Sequence, residues 1–262
     1  MTVADKIREF WDADAATYDL DPGHHPAGNM IRAVWRSALA GLLPSAPSKV
    51  LDVGSGTGFL SLLACELGHE VTAVDLSPRM LGRLRQKADS ARLQVTTVEA
   101  DAVDAPPGPF DAVMSRHLLW TLLDPAAALG AWRRAAPRGR LVLIDRDWGD
   151  PSAAQQLRGR CRQLVDRVRS TPPTHHSTYD PEIVGALPLG HGARPEAVLE
   201  LVAQAGWAQP RLGRLRDIDW AMAQQQPWLD RIMKGAPHFA VLASAPTESV
   251  GTEIPGRASP PG

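Results

Sequence analysis

Three alternating glycines form the segment of this sequence whose spacing points most directly to chemistry. The apolar stretch Val50–Val53 leads straight into Gly54, Gly56 and Gly58. Glycine lets the backbone turn tightly and approach a ligand closely, and a helix that begins after such a turn offers free N–H groups and a partial positive charge. The segment therefore predicts a ligand-binding loop, with an ordinary tight turn as the alternative.

An acid about 20 residues further on fits the same kind of site. Asp75 follows the apolar segment Val71–Val74, and the carboxyl ends of parallel strands line the ligand crevice of a sheet. A carboxylate at that position can accept hydrogen bonds from both hydroxyls of a ribose. The alternative is an acid that only caps the next helix, although Ser77 already offers a cap there.

The elements around these residues alternate between strand and helix. The pattern predicts strands at 49–53, 71–74, 93–98, 110–114 and 141–144, with helices at 31–43, 59–67, 77–89 and from 124. Such alternation predicts parallel crossovers and a sheet that is covered on both faces. Beyond Pro151 we expect an arginine-rich helix at 155–169, a long loop at 171–192, a helix at 194–205, and strands at 211–215 and 238–243.

Composition limits the classes of partner. The 28 basic and 29 acidic residues leave a formal net charge of -1, whereas binding to nucleic acid or an acidic membrane needs a basic excess. No apolar run is long enough to span a bilayer or to resemble a secretion signal. Two cysteines favour a reduced, cytoplasmic setting. The histidines have no ligand spacing, so we expect no metal.

Three segments together resemble the class I S-adenosylmethionine-dependent methyltransferases that act on small molecules. They are residues 50–58, 71–80 and 101–120, and the resemblance runs in order over about residues 1–245. It implies an α/β, doubly wound, mostly parallel seven-stranded sheet of Rossmann-like type. It also implies a helical N-terminal lid at 1–45 and a methyltransferase domain at 46–245 with a cap insertion at 151–192. Residues 246–262 are expected to be a disordered tail.

The resemblance implies S-adenosylmethionine as cofactor and S-adenosylhomocysteine as product. Asp52 would orient the amino group of the methionine portion, Asp75 would bind the ribose, and Asp101 would accept from the adenine amine. The other expected cofactor contacts are Tyr18, Gly54, Ser55, Gly56, Gly58, Leu76, Met80, Ala102 and Ser115. The alternatives are an exposed turn acid for Asp101 and helix packing for Tyr18.

His117 is the candidate catalytic residue, because it follows the fourth strand, where this fold has its reaction centre. Methyl transfer depends on alignment and exclusion of water, and an oxygen or nitrogen nucleophile also needs a base. Histidine titrates near neutral pH, but a residue that only lines the pocket remains the alternative. The candidate substrate-binding residues are His25, Arg116 and Trp120.

The expected function is methyl transfer to a small-molecule acceptor, with bacterial natural-product biosynthesis as one setting. Residues 115–118 lack the Asn/Asp-Pro-Pro-aromatic run of the amino-methylating nucleic-acid enzymes of this fold. A non-methylating protein that binds the same cofactor, such as a cyclase or a regulatory module, stays open. A dinucleotide-dependent oxidoreductase also stays open, although residue 59 is Phe where the dinucleotide fingerprint has glycine. The acceptor and the oligomeric state do not follow from any motif.

Overall fold

The computed structural model describes residues 1–26, 28–147, 179–190, 192, 194–225 and 236–246. Most of the expected cap insertion, the expected arginine-rich helix at 155–169, and the tail from residue 247 lie outside these described residues.

Seven strands of the described residues form one sheet. They are β1 (Lys49–Val53), β2 (Glu70–Asp75), β3 (Thr96–Glu99), β4 (Ala112–Arg116), β5 (Arg140–Arg146), β6 (Ala208–Arg214) and β7 (His238–Ser244). Their order is β3-β2-β1-β4-β5-β7-β6, and β7 runs antiparallel to both of its neighbours. The expected doubly wound, mostly parallel sheet is confirmed. The chain leaves β1 on one side towards β2 and returns on the other side as β4, so a crevice opens at the carboxyl end of β1.

Helices cover both faces of this sheet. The described α-helices are α1 (Val3–Asp14), α2 (Asn29–Leu42), α3 (Phe59–Glu66), α4 (Pro78–Ala91), α5 (Pro125–Ala135), α6 (Pro181–Ala186), α7 (Pro195–Gln204) and α8 (Arg216–Gln224). In α2, Ile31, Trp35 and Leu39 recur every four residues and are buried in the core of one face. On the other face, Leu129 and Trp132 of α5 pack in a second core.

Two helices were not predicted. The segment expected to be a loop at 171–192 contains α6, where the Asp180 side chain accepts a hydrogen bond from the backbone N–H of Glu182 and Pro181 follows at the first position. The helix α8 lies between the last two strands in chain order. Strand β3 also begins three residues later than expected, because Arg92 adopts a left-handed conformation and the N–H of Leu93 still bonds to Ala88 of α4.

Gly58, which precedes α3, is held by both backbone conformation and packing. Its φ is +86°, and a Cβ atom at this position would lie 2.5 Å from Cγ of the buried Leu84. A side chain here would therefore be strained by the backbone and would also overpack the core.

We predict that Gly58→Ala lowers the free energy of unfolding by about 2–5 kcal/mol, measured by chemical denaturation, since left-handed strain costs about 1–2 kcal/mol and overpacking about 1–3 kcal/mol. The matched control is Gly82→Ala in α4, because no atom lies within 4 Å of a Cβ there. The control should stabilise the protein by up to about 1 kcal/mol. Equal effects of the two substitutions would contradict this account of Gly58.

Candidate active site

A cavity of about 260 Å³ lies at the carboxyl ends of the central strands. Its wall includes many of the residues expected from the sequence: Tyr18, Gly54, Gly56, Asp75, Leu76, Met80, Asp101, Ala102, Arg116 and His117. The parallel register of β1 with β2 and β4 brings the ends of these strands to one edge of the sheet. Residues from five separate stretches of the chain therefore meet around one space.

Asp75 lies where the glycine loop meets the end of β2. Its Oδ2 accepts a hydrogen bond of 2.7 Å from the backbone N–H of Gly56, and its Oδ1 accepts one of 2.9 Å from the N–H of Ser77. Burial raises the pKa of Asp75 to about 6, against the lowering effect of these two N–H groups. The carboxylate is thus fixed by backbone donors while its remaining lone pairs can accept further hydrogen bonds.

The N-terminal segment covers the cavity and is fastened by two aspartates. Asp12 of α1 accepts hydrogen bonds from the Ser77 hydroxyl, 2.5 Å, and from the N–H of Arg79, 3.2 Å. Asp19 accepts from the Thr57 hydroxyl and from Lys87. Between these two attachments, the ring of Tyr18 lies over the glycine loop, since a Cβ at Gly56 would be 3.7 Å from Tyr18 Cε1.

His117 forms a buried pair with an aspartate that the sequence analysis did not single out. Its Nδ1 lies 3.0 Å from Oδ1 of Asp145 in β5, and both side chains are largely buried. A carboxylate can only accept, so Nδ1 carries the proton and Nε2 is the nitrogen that can accept one. Burial lowers the pKa of His117 to about 4, although Asp145 opposes this. The imidazole is therefore neutral at pH 7.

The backbone of His117 is also unusual. Its φ is +57°, a left-handed conformation that is uncommon for residues other than glycine. The backbone N–H of His117 donates to the carbonyl of Ile144, the residue before Asp145. The turn at the end of β4 therefore fixes the imidazole against the next strand.

Arg116 lies beside His117 but faces a different group of residues. Its guanidinium carbon is 4.5 Å from the ring centre of Phe59 and 5.2 Å from that of Trp35, distances typical of cation–π contacts. One nitrogen, Nη2, donates to the backbone carbonyl of His24. Burial lowers the pKa of Arg116 to about 10, so the side chain stays charged at neutral pH.

A smaller hollow of about 20 Å³ lies behind the glycine loop. It shares Tyr18, Gly54 and Arg116 with the main cavity, and its wall also includes Asp52, Ser55, Thr57, Phe59 and Leu60. The Asp52 carboxylate accepts a hydrogen bond of 2.5 Å from the Ser61 hydroxyl. Burial raises the pKa of Asp52 to about 7, while Arg116 acts to lower it. Asp52 and Ser55 therefore line this hollow and not the main cavity.

Four other expected site residues lie away from both spaces. The Ser115 hydroxyl donates to the carbonyl of Val53, and Gly58 packs against Leu84. The imidazole of His25 lies edge-on to Phe59, with 5.7 Å between ring centres. Trp120 packs against Tyr179, also at 5.7 Å. The structure gives these residues contacts within the protein, and it does not bring them to the walls of the cavity or the hollow.

Within the described ranges, no group of three or more His, Cys, Asp or Glu side chains is arranged to hold a metal ion. None of the helices described is long and apolar enough to cross a membrane.

Comparisons with known proteins define the class. The family described as "Methyltransferase domain" matches residues 51–143. A demethylmenaquinone methyltransferase of Deinococcus radiodurans is 32% identical over 213 residues, which cover 77% of this chain and 84% of that protein. A ubiquinone biosynthesis O-methyltransferase of Xanthomonas oryzae is 37% identical over 139 residues, 51% of this chain and 54% of that protein. The chain thus spans about half the length of some curated relatives that it matches.

The solved structure of the 4+2 cyclase SpnF has a TM-score of 0.63 and is 15% identical, and the match covers 93% of this chain and 97% of that chain. At this identity the likeness shows the fold alone. The similarity to the Deinococcus relative, of which this chain covers 84%, shows the family. The chain belongs to the class I S-adenosylmethionine-dependent methyltransferases, a family of enzymes whose curated relatives here are named for small-molecule biosynthesis.

The residues present fit S-adenosylmethionine. Asp75 ends β2 and Asp101 follows the neighbouring strand β3, and both acids line the cavity. The Arg116 Nη1 and Ser55 Oγ atoms are buried without a hydrogen-bond partner among the described residues. Buried polar atoms of this kind are normally satisfied, so these two atoms are available to a polar group of the cofactor.

We predict that binding of S-adenosylhomocysteine weakens as the pH falls through about 6. A ribose needs the ionised Asp75 carboxylate as acceptor, and a carboxyl with a pKa near 6 takes up a proton below that pH. Binding then has to release this proton, so affinity should fall by up to about tenfold per pH unit. Calorimetric titration between pH 5 and 8 measures the effect.

Asp75→Asn is the control, because it removes the titrating group. It should weaken binding at least about tenfold at pH 8, as expected when a hydrogen bond to a charged group is lost, and it should flatten the pH dependence below 6. Unchanged affinity in this variant would contradict the assignment of Asp75 to the ribose.

Proposed function

We propose that this enzyme methylates a small-molecule acceptor through a hydroxyl group whose proton is taken by His117. The observation that carries the proposal is the contact of 3.0 Å between His117 Nδ1 and Asp145 Oδ1 at the wall of the cavity. S-adenosylmethionine, when bound, supplies a methyl group on a positively charged sulfur that is already activated for transfer. The protein has to align the acceptor, exclude water and receive a proton.

The first step for the protein is to hold the acceptor against His117. Besides His117, the cavity wall contains the apolar residues Leu118, Leu122 and Leu123 and, from α1, Ile7 and Trp11. Such a lining favours a flat, apolar ring compound and keeps water from the reacting atoms. The Xanthomonas relative is named a ubiquinone biosynthesis O-methyltransferase, and this name supports an oxygen atom as the acceptor.

The second step is removal of the proton. The acceptor hydroxyl donates its proton to Nε2 of His117. The Nδ1–H of the same ring remains hydrogen-bonded to the Asp145 carboxylate. The imidazole becomes positively charged, and the buried Asp145 carboxylate stabilises that charge and fixes the ring orientation. Asp145 is thus a positioning residue, and His117 is the catalytic base.

Tyr18, Gly54, Gly56, Asp75, Leu76, Met80, Asp101 and Ala102 hold the cofactor in this proposal. A reducing, cytoplasmic setting is part of the proposal, since Cys65 has no disulfide partner among the described residues. The proposal includes bacterial natural-product biosynthesis as the setting of the reaction, as expected from the sequence.

Release of S-adenosylhomocysteine from S-adenosylmethionine tests the reaction. The assay uses simple phenols, catechols and naphthohydroquinones, each beside the matched compound whose hydroxyls are already methylated. We expect turnover with members of the hydroxylated set only. Equal turnover with the blocked compounds, or none with either set, would overturn the hydroxyl proposal.

We predict that His117→Asn lowers kcat by about 100-fold or more, the range typical of a lost general base. Asparagine tolerates the left-handed backbone at this position, so the turn after β4 should persist. The dissociation constant of S-adenosylhomocysteine, measured by calorimetry, should stay within about twofold. A kcat within threefold of the original enzyme would reduce His117 to a wall residue.

Asp145→Asn is predicted to lower kcat about tenfold or more while KM for the acceptor changes little, because asparagine can still accept the Nδ1–H bond but carries no charge. A nitrophenol acceptor that is already ionised at the assay pH needs no base. With that acceptor, both His117→Asn and Asp145→Asn should recover most of the lost rate. A loss that is equal for ionised and un-ionised acceptors would point to a structural role instead.

A further inference from the structure

Arg116 is a partly buried cation that forms no ion pair with any of the described residues. Two aromatic rings, Phe59 and Trp35, lie around its guanidinium, and Nη2 is used by the carbonyl of His24. The other terminal nitrogen, Nη1, is buried and has no hydrogen-bond partner in the described part of the chain. The side chain is therefore held rigidly, with one N–H-bearing edge left for an acceptor.

A second unpaired group lines the same hollow. Ser55 is 9% exposed, and its hydroxyl has no hydrogen-bond partner among the residues described. Leaving a buried donor unsatisfied costs about 1–3 kcal/mol, and more for a charged group. Two such donors beside one small hollow indicate that an oxygen-bearing group is bound between them when the site is filled.

The size of the hollow limits what this group can be. Its volume is about 20 Å³, whereas one water needs about 10–15 Å³ on the same measure. That leaves room for a group of the size of a carboxylate. The acid Asp52 lines the same hollow, so the wall of the hollow contains one basic and one acidic side chain of the protein. This pairing is complementary to the ammonium and carboxylate groups of an α-amino acid.

The position of the hollow in the fold indicates that its ligand is the cofactor and not the acceptor. The hollow is bounded by Gly54, Ser55 and Thr57 of the glycine loop and by Phe59, the first residue of α3. It joins the main cavity through Gly54, Arg116 and Tyr18. The neighbouring His117 belongs to the main cavity and does not line the hollow. An anion held by Arg116 therefore lies under the loop that would carry the cofactor.

We propose that Arg116 and Ser55 bind the carboxylate of the amino-acid end of S-adenosylmethionine, next to the amino group that the family resemblance assigns to Asp52. The proposal rests on the proposed function, because it assumes that this cofactor fills the main cavity. It moves Arg116 from the acceptor site expected from the sequence to the cofactor site. Arg116 would also give the site a preference for ligands that carry an intact amino-acid end.

The test compares two ligands by calorimetry: S-adenosylhomocysteine, and 5′-deoxy-5′-methylthioadenosine, which keeps adenine, ribose and sulfur but lacks the amino-acid end. In Arg116→Met, affinity for S-adenosylhomocysteine should fall about 10–100-fold, the range for losing a hydrogen bond to a charged group. Affinity for methylthioadenosine should stay within about twofold. Ser55→Ala should reduce the ratio of the two affinities by several-fold.

Arg85→Met is the matched control, because this exposed arginine of α4 contacts Thr97 and not the site. It should leave both affinities unchanged. Arg116→Lys keeps the charge without the planar donor set, so the affinity ratio should recover in part. This variant also distinguishes lost recognition from a damaged site if Arg116→Met binds both ligands more weakly.

The possible results distinguish failure of the proposed function from failure of the role proposed for Arg116. Failure of the original protein to bind S-adenosylhomocysteine would overturn the proposed function. Binding of S-adenosylhomocysteine by the original protein, with the same affinity ratio in Arg116→Met and Arg116→Lys, would overturn only this inference. If Arg116→Met leaves the ratio of the two affinities unchanged but raises KM for the acceptor, Arg116 contacts the acceptor and this inference is wrong. A water molecule would then fill the hollow.

Discussion

The hydrogen bond of 2.7 Å from the Gly56 N–H to the Asp75 carboxylate ties together the two strands on which the site is built. One strand, β1, leads into the glycine loop, and β2 ends at Asp75. A second bond, from the N–H of Ser55 to the carbonyl of Val74, joins the same two places. These contacts fix the loop against the sheet edge, and they hold the partly buried Asp75 carboxylate at the wall of the cavity.

The covering segment depends on that same edge. Asp12 binds the start of α4, directly after Asp75, and Asp19 binds Thr57 in the glycine loop and Lys87 in α4. Tyr18 lies between the two attachments and contributes to the walls of both the cavity and the hollow. The N-terminal residues therefore form part of the cavity wall. Any change that loosens the loop from β2 should also loosen this cover.

The sequence predicted the central sheet, and it predicted that the glycine loop meets the acids at the strand ends, because glycine spacing, apolar strands and acids at strand ends are local signals. Asp145 was missed, since its role depends on the register that pairs Arg116 with Ile144 and on the left-handed turn at His117. Neither is visible in residue order. His25 and Trp120 were chosen by residue type near the expected site, but the fold directs them to Phe59 and Tyr179. The helix α6 was hidden in a segment rich in proline and glycine.

The most direct test of the central claim is calorimetric titration of the full chain with S-adenosylhomocysteine and, separately, with NADH. Both ligands carry an adenosine that could use Asp75, but only one has an amino-acid end to match Asp52 and Arg116. We expect one site of micromolar affinity for S-adenosylhomocysteine and no binding of NADH. Binding of NADH alone would contradict it, because the roles given to Arg116, Asp101 and His117 all depend on the methyltransferase cofactor.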